Sequence, residues 1–147
     1  MKQFSFKLDK ILSYREYQEK KAIKDLMVVR MECLEKEKQI EKLISKKSEN
    51  IVQCKAQAIK GMEAAMYKIY QVFTKKLEND LEGAHKELSK SRERVNAREK
   101  MLHQISIKKK SLEALKDFKL KNHTKMLAQE DQKLMDEMAI IKNGAIK

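Results

Sequence analysis

Almost nothing in this chain can turn it. Across 147 residues there is no proline, and glycine occurs only at Gly61, Gly83 and Gly144. A sheet protein needs turn residues at short intervals. A chain without them is left with long helices. Its commonest residues, Lys, Glu, Leu, Ala, Ile, Gln and Met, favour helix or tolerate it.

Charge and apolar spacing decide what such helices do. Charged residues make up 38% of the chain, aromatics 5% and apolar residues 41%, which is too little bulk for a thick core but enough for a seam between two helices. A stripe runs through Leu8, Ile11, Arg15, Gln18, Ala22, Leu26, Val29, Cys33, Lys36, Ile40, Leu43, Lys47, Ile51, Cys54 and Ala58, and eleven of these fifteen are apolar. The mean step is about 3.6 residues, the helical repeat. A second, less regular stripe runs through Leu81, Ala84, Leu88, Val95, Leu102, Ile105, Leu112, Leu115, Leu127, Leu134, Met138 and Ile141, interrupted near Ser91 and Lys109. The reversal belongs near Gly61, the only glycine between the stripes. The expected fold is all-α, a single domain over 1–147: a long two-helix antiparallel coiled-coil hairpin with unequal arms. Its helices lie roughly at 5–58 and 64–142, with the turn near 57–65. One continuous helix paired with a copy is the rival.

With the turn at Gly61, Leu8 faces roughly residue 114, and the chain beyond about Lys119 overhangs while still carrying Met126, Leu127, Leu134, Met138 and Ile141. An apolar stripe without a partner marks a binding surface. Deleting residues 126–147 is expected to abolish docking while the remaining hairpin stays helical.

The formal net charge of +12 admits nucleic acid, an anionic membrane or an acidic protein as partner. The charge is even: 15 basic and 9 acidic residues over 1–61, against 19 and 13 over the rest. The basic run Arg92, Arg94, Asn96, Arg98 and Lys100 superficially resembles a DNA-reading basic region. It sits mid-helix with no loop or zipper after it, so it is read as the solvated face of a coiled coil.

Catalysis has no home in this pattern. There is no Gly-rich phosphate loop, CxxC or HExxH. His85, His103 and His123 stand 18 and 20 residues apart, nearly 30 Å along a helix, too far to share a metal. No cofactor, metal or catalytic residue is expected. Cys33 and Cys54 lie 21 residues apart, about 31 Å on one helix, and are expected as free thiols in a reducing compartment. No apolar run approaches a membrane span, and charges interrupt the N-terminal apolar positions, so a cytoplasmic location is expected.

Both termini carry distinctive patterns. Phe4-x-Phe6-x-Leu8-x-x-Ile11-Leu12-x-x-Arg15-Glu16 resembles the opening signature of the FliJ family of flagellar type III export proteins. Leu112-Glu113-Ala114-Leu115-Lys116 and Gln129-Glu130-x-Gln132-Lys133-x-Met135-Asp136-Glu137-x-Ala139 resemble its closing signature. Length, basic charge and the expected hairpin match too. The resemblance implies a non-enzymatic protein similar to the central stalk of rotary ATP synthases. Its open end would enter the ring of the hexameric export ATPase, through Phe4, Phe6, Leu8, Arg15, Gln132, Met135, Asp136 and Glu137. The resemblance implies a second partner, the cytoplasmic domain of the export-gate membrane protein, near the turn at Gln39, Leu43, Phe73 and Leu77. Lys46 and Asn50 stand where family members carry aromatics. Some members handle substrate-free export chaperones. The implied location is peripheral, at the inner face of the cell membrane. An injectisome stalk is the alternative, and a basic coiled coil on nucleic acid or an anionic membrane a further one. Lysines on the outer face predict that ring binding weakens with salt.

Overall fold

The computed structural model describes residues 3–146, and it is a helical hairpin. Helix α1 spans Asp9–Lys60 and helix α2 spans Ala64–Ile146, and no strand occurs among the described residues. The turn is Gly61, Met62 and Glu63. Gly61 has φ +96, and its N–H donates to the Ala58 carbonyl at 3.3 Å. That conformation follows the last helical residue, where glycine avoids the Cβ penalty of positive φ. At the other end of α1 the start falls at Asp9, later than residue 5. Gln3–Phe6 is not helical, and the Asp9 N–H bonds back to the Phe6 carbonyl at 3.1 Å. Asp9 then places a carboxylate in the first turn, favourable to the helix dipole.

Burial along α1 and the residue before it follows a seven-residue repeat. Buried or half-buried positions fall at Leu12, Glu19, Leu26, Cys33, Ile40, Lys47 and Cys54, and at Leu8, Arg15, Ala22, Val29, Lys36, Leu43 and Asn50, with Gln18, Asp25 and Glu37 half-buried at its edges. This corrects the stripe read from apolar spacing: Leu12 is buried where Ile11 is 46% exposed, Glu19 is half-buried beside Gln18, and Asn50 is buried where Ile51 is exposed. In α2 the equivalent positions include Thr74, Leu77, Leu81, Ala84, Leu88, Ser91, Val95, Leu102, Ile105, Lys109 and Leu112. Ser91 and Lys109 interrupt the apolar pattern yet sit in the seam. A 3.5-residue repeat keeps the seam on the partner helix, as in a left-handed coiled coil.

The contacts of the chain divide into two compact units, residues 21–102 and residues 1–20 with 103–147. In a helix pair each residue touches only what lies opposite it, so contacts stay local.

Within the first unit the helices run antiparallel: Lys47 pairs with Glu78, Glu37 with Arg92 and Arg30 with Glu99, at 3.4, 3.5 and 2.9 Å. Cys33, Ile40, Leu81 and Leu88 form its buried cluster, with Leu43, Ala84 and Val95 packed against it. Asn50 is 7% exposed, and its amide donates to Thr74 Oγ1 at 2.7 Å and to the Tyr70 carbonyl at 3.3 Å. A polar layer of this kind fixes register at a cost in stability. The ion pairs are largely exposed and each is worth about 1 kcal/mol or less, so apolar burial holds the unit and charge sets its alignment.

In the second unit, Leu12 and Phe6 are buried and Asp9 pairs with Lys116 at 2.9 Å. That alignment sets Leu8 closer to residue 117 than to 114. The N-terminal segment continues alongside α2 beyond the helix start. The Phe4 ring lies 5.6 Å from the His123 ring, and Lys119 Nζ lies 6.0 Å from the Phe6 ring centre. Among the described residues, the part of α2 without a partner therefore starts after Leu127, not after Lys119; residues 128–144 are exposed throughout.

Candidate docking sites

Every candidate for the ring-facing end falls in one unit. Phe4 and Leu8 are half-buried, Phe6 is buried against α2, and Arg15 donates to Gln18 Oε1 at 2.9 Å. These four shape the flank of α2 and present little free apolar surface. Gln132, Met135, Asp136 and Glu137 differ. All are exposed, Met135 by 67%, and Gln132 donates to Asp136 across one helical turn at 3.1 Å. Around them Leu134, Met138, Ile140 and Ile141 are 56–71% exposed. Large side chains on one unpartnered helix make a docking surface, because their burial on a partner is the main free energy available there.

In the same unit, about five helical turns before that segment, lies a charged layer that apolar spacing does not show. The Glu19 carboxylate accepts from Lys109 Nζ and from Ser106 Oγ, each at 2.9 Å. The hydrogen bond from Lys109, then that from Ser106, holds the Glu19 carboxyl below its ordinary value of 4.5. The same bond holds Lys109 above its ordinary 10.5. Glu19 and Lys109 each sit at a seven-residue seam position. Polar residues there are invisible to a search for apolar stripes.

The four turn-proximal candidates separate. Leu77 is 3% exposed and Leu43 packs on the buried cluster, so both are seam residues. Gln39 is exposed on α1. Phe73 is 43% exposed and lines a shallow groove with Ala65, Ile69 and Val72, flanked by Lys68 and Lys76. Ile69 and Val72 are 64% and 63% exposed. They lie outside the two apolar stripes, on a spacing of three and four from Ala65 through Ile69 and Val72 to Lys76. Lys46 is exposed, and Asn50 is committed to the polar layer.

Cys33 and Cys54 are free and buried, three heptads apart in the seam. Among the described residues no cluster of His, Cys, Asp or Glu could hold a metal. Among them, too, no helix is long and apolar enough to cross a membrane.

A pair of long helices packed on a heptad seam defines the class of α-helical coiled-coil proteins. The family is specific: the chain belongs to the FliJ family, because the model for the flagellar FliJ protein matches residues 4–143. No curated protein and no solved structure gave a significant match. Family membership places the chain in flagellar protein export, among non-catalytic components of that system.

Proposed function

We propose that this chain is a non-enzymatic coupling subunit of the flagellar type III export apparatus, a stalk bound in the ring of the hexameric export ATPase. The ring-facing surface is the exposed stretch of α2 carrying Gln132, Met135, Asp136 and Glu137, with Phe4, Phe6, Leu8 and Arg15 bracing the helix that leads into it. The cytoplasmic domain of the export-gate membrane protein is the second partner, met near the turn by Gln39, Leu43, Phe73 and Leu77. Of these four, Phe73 supplies the exposed apolar contact. Export chaperones are further partners. The protein works in the cytoplasm, peripheral to the inner face of the cell membrane, and needs no cofactor.

The observation that carries this reading is the exposure of residues 128–144, with five large apolar side chains, Leu134, Met135, Met138, Ile140 and Ile141, exposed on it. A helix of this kind is unlike a solvated end, where Lys and Glu alone would serve. Calorimetric titration of the export ATPase tests it. Met135→Glu should weaken binding about tenfold or more, with an unchanged far-ultraviolet circular dichroism spectrum, since Met135 takes no part in the seam. Unchanged affinity would overturn the assignment.

A further inference from the structure

We infer that the apex of the hairpin, from Lys55 to Lys68, is a docking site for an anionic lipid bilayer, which it meets end-on without crossing. The seam stops short of this apex. Between Cys54 and Leu77 no residue is buried, and only Met62, Tyr70 and Thr74 are half-buried. Yet the apex is not polar. Ile59 is 87% exposed, the most exposed large apolar side chain among the described residues, and Met66 and Tyr67 are 48% and 51% exposed. The helix pair does not bury these side chains, so their burial is left to a partner.

Distance from the turn sorts the chemistry. At 1.5 Å per residue, Ile59 lies about 3 Å along its helix from Gly61 and Met66 about 8 Å, whereas Lys55, Tyr67 and Lys68 lie about 9–10 Å away. Met62 is in the turn itself. An interfacial segment sinks about 5–10 Å into a bilayer. At that depth Ile59 and the two methionines reach the acyl boundary. The Tyr67 hydroxyl and the ammonium groups of Lys55 and Lys68 stay among the headgroups, the level that tyrosine and extended lysine side chains favour.

Charge gives the bilayer its sign. The apex holds Lys55, Lys60 and Lys68 against Glu63 alone, and none of these makes an ion pair among the described residues. No other acid occurs between Glu49 and Glu78, and Glu78 is held by Lys47 at 3.4 Å. A second copy set apex to apex would leave most of the lysines facing one another, which disfavours self-association. Phosphate groups of an anionic bilayer satisfy them, and each lysine near such a surface strengthens binding about fivefold. The charge alone suits any acidic surface; the order of residues by depth selects a bilayer. This inference does not rest on binding to the ATPase or to the gate. Phe73 lies about 18 Å from Gly61 along α2, beyond the inserted depth.

The test uses the full chain with vesicles of equal parts phosphatidylglycerol and phosphatidylcholine, and with vesicles of phosphatidylcholine alone. Co-sedimentation should show partition onto the anionic vesicles at least tenfold stronger than onto the neutral ones. Ile59→Gln leaves the net charge unchanged and should weaken that partition about tenfold, with a thermal melt matching the parent. Glu63→Gln should strengthen it severalfold. Phe73→Ala should partition as the parent does, which separates a failure here from a failure of gate binding. The chain has no tryptophan, so Ile59→Trp supplies a single indole reporter at the apex. Its emission should shift to the blue on anionic vesicles, while that of Ala97→Trp, exposed in the middle of α2, should not. The inference is overturned by no partition onto anionic vesicles, by equal partition onto both kinds, by partition that Ile59→Gln leaves unchanged, or by equal blue shifts at the two reporters.

Discussion

Leu77 and Phe73 lie four residues apart, and both are assigned to gate binding, yet their environments predict opposite consequences for truncation. Leu77 is 3% exposed in the seam. Leu77→Ala deletes about three methylene equivalents at about 0.8 kcal/mol each, and the thin seam can close part of the cavity. The expected loss is about 2–3 kcal/mol, at the low end for buried leucines. Phe73 is 43% exposed, and alanine is the better helix former by about 0.5 kcal/mol. Phe73→Ala should therefore cost about 1 kcal/mol or less. Urea unfolding followed by circular dichroism at 222 nm measures both, and titration with the gate's cytoplasmic domain then separates contact from scaffold. Phe73→Ala should lose affinity in a fully folded chain. Leu77→Ala should lose affinity only where its lower stability shows. Equal stability losses for the two variants, or none for Leu77→Ala, would refute the division into seam and surface.

Gly61→Ala introduces a Cβ that meets nothing within 4 Å, so its cost is conformational: φ +96 disfavours an L-residue by about 1–2 kcal/mol, partly offset by a stiffer unfolded chain. Urea titration should show a net loss of about 1 kcal/mol, and a more stable variant would contradict the turn geometry. Glu19, held below 4.5, adds stability that is full above 4.5 and fades as pH falls through its lower folded value. Lys109, held above 10.5, adds stability that is full below 10.5 and fades as pH rises through its higher folded value. Melting curves of Glu19→Gln should therefore differ most from the parent between those limits and converge outside them; a difference that persists in acid would exclude the ion pair as its source. ATPase binding should weaken steadily with added salt, as measured by titration, and an affinity independent of ionic strength would exclude attraction by the lysines.

The helical hairpin was legible because turn residues are absent and two apolar stripes are present. The seam itself was legible only in part. Steps of three and four point to Ile11 and Ile51, whereas the buried positions are Leu12 and Asn50, and Glu19 joins half-buried Gln18 in the seam. Glu19, Lys47, Asn50, Ser91 and Lys109 all occupy heptad positions with polar side chains, so the true repeat shows only once its partners are in place. Glu19 is tolerated there because Lys109 and Ser106 reach it, and Asn50 because Thr74 does. The exposed end of α2 was foreseeable, since α2 is 83 residues long and α1 is 52. Its starting point was not, because Phe4 and Phe6 extend the contact to His123 from outside α1. Leu43 and Leu77 could not be told from Phe73 by residue type; burial alone divides them.

On the proposed function, the two ends of this hairpin serve different partners. Hydrogen exchange read by mass spectrometry, on the full chain with and without the export ATPase, tests it most directly. Residues 128–144 make no seam contacts, so their amides should exchange quickly in the free chain and become protected when the ATPase is added. The segment around Gly61–Phe73 should remain unchanged by the ATPase and become protected only with the gate's cytoplasmic domain. Protection by the ATPase at the turn, with residues 128–144 still exchanging freely, would contradict the account.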